Sequence, residues 1–162
     1  MKKMYIGIDN GVSGTIGFVS DSESFSIKTP VTKQQDYTKT KKKINRLDIN
    51  ELSKTFYQLK ADEYTLFAVI ERPMINSGRF NASISAARCL EATLIVLEMH
   101  DIPYQFIDSK EWQKELLPSG CSGDDLKSAS KDVGKRLFPK VDIKHPDLDG
   151  LLIAEYARRK KY

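Results

Sequence analysis

The sequence predicts an α/β protein: a mixed sheet of five strands, the first three antiparallel, flanked by helices. Two observations predict it. The first thirty residues hold three short runs rich in β-branched and aromatic residues, divided by Gly, Ser and Asp turns, as in an antiparallel meander. Beyond residue 46, apolar runs alternate with segments of helical period, the order that builds strands joined by crossover helices. The 162 residues, 40% hydrophobic and 30% charged, suffice for a real core and are expected to form one domain spanning 1–162.

Element by element, "MYIGI" (4–8) reads as a buried strand, and "TIGFVS" (15–20) and "ESFSIKT" (23–29) complete the meander. Pro30 to Asn45 is polar and lysine-rich and reads as a mobile loop. Leu47, Leu52, Phe56 and Leu59 mark a helix over 47–59 that Asp48 or Asn50 can cap. "LFAVIE" (66–71) is an uninterrupted apolar run, expected as a buried parallel strand. A loop to Phe80 leads into the longest helical pattern, 81–100, with Ile84, Ala87, Leu90, Leu94, Leu97 and Met99 as apolar positions. "IPYQFI" (102–107) is the last strand, and Ser109 can cap a helix through Leu117. "PSGCSGDD" breaks the chain, Asp124 or Asp125 caps the next helix, and Pro146 opens a final one to about Lys160.

The net charge of +4 is unevenly spread. "KTKKKINR" (39–46) holds cations and no acid, and Arg158, Arg159, Lys160 and Lys161 close the chain. Such runs are commonly solvated surface, but a polyanion such as nucleic acid is the partner they would suit. Uninterrupted apolar runs are too short to span a membrane, and Asp9 and Asn10 interrupt the start too early for a signal peptide. Cys89 and Cys121 lack metal-ligand spacing and are expected as free thiols in a reducing cytoplasm.

The acids carry the chemistry. Asp9 closes the run "YIGI" inside a turn containing Gly11 and Gly14. Asp-Asn-Gly is a favoured tight-turn sequence, so Asp9 alone has a local explanation. Glu71 closes "FAVI" in the same way, and if the two strands are neighbours both carboxylates leave the sheet at one edge. Asp147 and Asp149 fall in "HPDLDGLLIAEYA", at the start of the last helix, where capping also accounts for acids. Taken together, acids at several element ends suit two hard cations about 3.5 to 4 Å apart that cleave a phosphodiester.

In this arrangement the chain resembles the RuvC family of Holliday junction resolvases, within the ribonuclease H-like nucleases. The resemblance runs in order through "IGIDNG", "VIERPMINSGRFNASISAARCLEA", "IPYQFIDSKEWQKEL", "DLKSASKDVGKRLFP" and "DLDGLLIAEYA", and fits small phage-type members at least as well as cellular ones. It implies a ribonuclease H-like fold and a homodimer that cuts four-way junctions with two symmetric nicks, using Mg2+ or Mn2+, two ions per site. It also implies a role in DNA recombination and repair, inside the host cytoplasm if the protein is phage-encoded, with no membrane and no small-molecule cofactor.

The implied metal ligands and catalytic residues are Asp9, Glu71 and Asp149. The family's fourth ligand stands three places before the last Asp, where this chain has Pro146, which cannot ligate. Asp147 and His145 are the two alternatives, and the oxygen preference of hard cations favours Asp147. The family's DNA-facing positions fall on Arg72, Arg79 and Phe80 after the Glu71 strand, and on Lys110, Lys114 and Lys127. The basic run with Lys41, Lys42 and Lys43 joins them. Phe80 could instead pack as a hydrophobic staple, and Trp112 could stack on a base or belong to the core. Small residues in helix 81–100 (Ala82, Ala86, Ala87 and Ala92) would permit close packing at a dimer interface. Competing expectations are a related nuclease acting on RNA, as proposed for YqgF-like proteins, and a catalytically silent nucleic-acid-binding protein. An actin-like or sugar-kinase ATP-binding protein would need two such halves.

Overall fold

A computed structural model of the chain describes residues 2–141 and 147–162, so the expectations for His145 and Pro146 lie outside the described residues. β1 (Lys2–Ile8) is the central strand of the sheet. It pairs antiparallel with β2 (Thr15–Val19), which pairs antiparallel with β3 (Ser24–Lys28). On its other side it pairs in parallel with β6 (Tyr64–Glu71), and β6 with β7 (Tyr104–Ile107). The order β3-β2-β1-β6-β7 is the five-stranded mixed sheet that the sequence predicts.

Alternation along β1 divides the core between two faces. Met4, Ile6 and Ile8 pack with Leu52 and Phe56 of α1 (Ile49–Ala61) and with Val96 and Leu97 of α2 (Phe80–Met99). Tyr5 joins the opposite cluster, with Trp112 of α3 (Ser109–Leu116), Val133 of α4 (Asp124–Leu137) and Leu152 and Ile153 of α5 (Asp149–Lys160). α5 is buried from Gly150 to Ala157 because it lies directly on the strand backbones. A Cβ on Gly7 would stand 2.2 Å from Ala154 N and from Gly150 O, and one on Gly17 would stand 2.3 Å from Leu151 N. This side-chain-free contact seats the start of α5 beside the carboxyl end of β1.

Several local expectations are corrected. Pro30 to Asn45 is not a loop: β4 (Val31–Gln35) and β5 (Lys43–Leu47) form a separate antiparallel hairpin, in register from Val31↔Leu47 to Gln35↔Lys43. Its strands have no apolar face, so the periodicity that betrays a core strand is missing. The turn closes through Asp36, which donates its N–H to Lys42 O at 2.7 Å and accepts from the Thr38 hydroxyl at 2.7 Å. α3 is capped by Asp108 in a capping box with Glu111, one residue before the expected Ser109. Gly123 precedes α4 and makes no side-chain cap, with Asp124 and Asp125 inside the first turn. α5 opens at Asp149, which leaves Asp147 in the approach to the helix. Ser77–Met99 is long and apolar enough to cross a membrane by length and composition alone. It nevertheless inserts Cys89, Thr93, Val96 and Leu97 into the core and carries Arg88 and Glu91.

Candidate metal centre

Parallel pairing settles where the strand-end acids go. Ile8 and Ile70 are register partners, so Asp9 and Glu71 follow at the same sheet edge. The turn after Asp9 folds back on it: Asp9 N–H donates to Thr15 O at 3.0 Å, and a Cβ on Gly14 would stand 2.1 Å from the Asp9 carbonyl oxygen. Glycine is therefore required at position 14.

Asp147 and Asp149 are brought to this edge by α5. The Asp149 N–H donates to Asp147 Oδ1 at 2.9 Å, and the hydroxyl of Thr15 donates to the same oxygen at 3.4 Å. That hydroxyl also accepts from Gly150 N–H at 3.1 Å, so one buried threonine ties the start of β2 to the start of α5. Carboxylate oxygens of Asp9, Asp147 and Asp149 then lie within 4.8 Å of one another.

Like charges this close raise each other's pKa. Burial, then the charges of Asp147, Glu71 and Asp149, push Asp9 from the ordinary aspartate range up to about 8. Burial and Asp147 carry Asp149 to about 6, against the pull of a Ser130 hydrogen bond and the Lys127 ammonium. Glu71 is raised by burial and by Asp147. A hydrogen bond from Trp112 opposes the rise: its Nε1–H donates to Glu71 Oε2 at 2.6 Å. Three half-buried acids with oxygen donors only are a fit for a hard divalent cation, whose charge would relieve the repulsion.

The other sequence-selected residues are distributed unevenly. Lys127, on α4, is exposed and lines a cleft of about 500 Å³ with Ser130, Lys131, Asp147 and Asp149. Lys110 and Lys114 are exposed on α3. Arg72 pairs with the cap residue Asp108 at 2.9 Å, both exposed. Arg79 and Phe80 stand at the head of α2, where Phe80 is 67% exposed and so makes no staple. The segment before them is held by Asn76, which exchanges hydrogen bonds with the Ser83 hydroxyl at 2.9 Å in both directions. Lys41, Lys42 and Lys43 are exposed at the hairpin turn and its second strand, in no ion pair among the described residues. Nearby, the Arg88 guanidinium of α2 lies 5.3 Å from the Tyr37 ring centroid.

Thr15 and Ser130 escape sequence reasoning, since a lone hydroxyl carries no spacing signal. Trp112 proves to be a core residue with 0% exposure, and its polar end meets an acid rather than a base.

No protein-family model matches the chain, and no curated protein sequence does. Solved structures do. Thermus thermophilus RuvC in complex with a Holliday junction substrate superposes with a TM-score of 0.61 at 12% identity, over 98% of this chain and 96% of that one. A second Thermus thermophilus RuvC structure gives a TM-score of 0.56 at 12% identity over the same shares. At that identity the likeness is one of fold: the chain has a RuvC-like, ribonuclease H-like fold.

Proposed function

We propose that this chain is a divalent-metal-dependent endonuclease that resolves four-way DNA junctions by paired nicks. The observation that carries the reading is the convergence of Asp9, Asp147 and Asp149 at one sheet edge, with Glu71 beside them. Support for the substrate comes from the Thermus thermophilus neighbour, which shares the fold over nearly the whole chain and is bound to a Holliday junction.

In this reading Asp9, Asp147, Asp149 and Glu71 hold Mg2+, or Mn2+ in its place, with two ions per site. Bound there, the cations would polarise the scissile phosphate and lower the pKa of a coordinated water. Asp147 accepts from Thr15 and from the Asp149 amide through one oxygen, so the carboxylate is oriented before substrate arrives. Lys127 lines the same cleft as Asp149 and in this reading meets backbone phosphate. Phe80, exposed beside Arg79, can enter the crossover, and Arg72, Lys110 and Lys114 can follow the arms. The hairpin with Lys41, Lys42 and Lys43 adds sequence-independent attraction. Matched nicks need two sites related by a two-fold axis, and the uncovered part of α2, with Ile95 43% and Met99 65% exposed, is the face for a homodimer.

The test is cleavage of a synthetic four-way junction beside linear duplex and RNA–DNA hybrid, with the mass of the protein measured in solution. Symmetric nicking of the junction by a dimer is expected. Preferential cutting of the hybrid, or a strict monomer with equal affinity for junction and duplex, would overturn the reading.

A further inference from the structure

We propose that Trp112 is a positioning residue: its indole N–H holds one oxygen of Glu71 so that the other faces the acidic cluster, coupling the indole to cation binding there. The inference rests on the assignment of the acids as a metal site. Trp112 is the one tryptophan of the chain and has 0% exposure. Its Nε1–H is a donor with no acceptor capacity, and a buried donor must find a partner. Here the partner is Glu71 Oε2 at 2.6 Å, at the short end for an N–H donor meeting a carboxylate.

The indole cannot move to follow the acid. It is packed among Tyr5, Val69, Ile107, Leu116 and Leu152, and its helix starts at a closed capping box. Glutamate has three side-chain torsions and ends a strand, so unaided it would sample many positions. With Oε2 held by a rigid donor, the carboxylate keeps one orientation beside the cluster, where the charge of Asp147 already acts on Glu71. A core tryptophan satisfied by any nearby backbone carbonyl would have left Glu71 free. Supporting partners of this kind tune ligand orientation and affinity.

One tryptophan means one indole N–H signal in a nitrogen–proton correlation spectrum, so the full chain can be read directly. Mg2+ alone is the probe. The indole signal is expected downfield in the metal-free protein and should shift saturably with Mg2+, in step with the backbone amides of Asp9 and Asp149. In Glu71→Gln it should move upfield and lose its response. Trp112→Phe should weaken Mg2+ binding by about tenfold, while amides remote from α3 keep their positions. If the Asp9 and Asp149 amides respond to Mg2+ and the indole does not, the coupling is wrong and the metal reading survives. If none of them responds at saturating concentrations of Mg2+, the metal reading falls and this inference falls with it.

Discussion

The sheet edge that carries the acids and the β4–β5 hairpin that carries the lysines hold opposite charges, and they are built in opposite ways. At the edge, charge is crowded into half-buried positions and held by close backbone packing, α5 on Gly7 and Gly17. In the hairpin, Lys41, Lys42 and Lys43 stand in water on strands that contribute little to the core beyond Leu47. Crowded like charges cost free energy that the rest of the fold must offset, whereas solvated ones cost almost nothing. The comparison separates two kinds of charge: acids crowded where burial and like neighbours raise their pKa, and lysines left in water with no such penalty.

The largest expected effect follows from breaking the edge chemically. Asp9→Asn should lower junction cleavage by roughly a thousandfold or more, while binding of the junction persists. Without metal the same variant should be more stable than the parent, because asparagine avoids the cost of protonating an acid, or ionising it, where burial and acidic neighbours disfavour its charge. Melting curves in EDTA beside a cleavage assay in Mg2+ would show both; near-normal turnover would remove Asp9 from the site.

Breaking the edge sterically comes next. Gly7→Ala forces a Cβ to within 2.2 Å of the α5 backbone, which no side-chain rotation can relieve. A loss of about 3 kcal/mol, or a Tm lowered by about 10 °C, is expected in thermal unfolding. An unchanged Tm would mean that α5 is not seated on β1.

A smaller and graded effect should appear with pH. Asp9 at about 8 and Asp149 at about 6 lie above the value near 4 expected for an unfolded aspartate. Between these values the folded chain binds more protons than the unfolded one, so metal-free stability should be greatest near pH 4 and fall as pH rises towards 8. Mg2+ binds the ionised acids, so its stabilising effect should grow over the same window. Unfolding curves across that range with EDTA and with Mg2+ test this; parallel, flat profiles would contradict it.

The smallest effect on the fold belongs to the hairpin. Replacing Lys41, Lys42 and Lys43 by alanine should alter stability by no more than about 0.5 kcal/mol. Junction affinity should fall, and its dependence on salt should flatten by about one unit for each phosphate no longer neutralised. A salt series with unchanged slope would leave the hairpin without a role in binding DNA.

The two regions also differ in how far the sequence disclosed them. Asp9 and Glu71 were legible because each closes an apolar run, and parallel pairing of such runs aligns their ends. Asp147 and Asp149 were legible as a pair, although the helix begins later than Pro146 implied, since Asp147 and Thr15 together fasten the approach to it. The hairpin was not legible, because strands with no buried face leave no period-two pattern. Nor could pattern reveal that Trp112 meets Glu71, a pairing of residues 41 apart that depends on how α3 lies over β6.

The central claim is that the acids at the sheet edge form a divalent-metal site, and calorimetric titration of Mg2+ into the metal-free protein near pH 8 tests it most directly. Saturable binding is expected in the parent and in the triple lysine-to-alanine variant alike, and at least about tenfold weaker binding in Asp9→Asn and in Asp149→Asn. Binding of equal strength in all four proteins would contradict the claim.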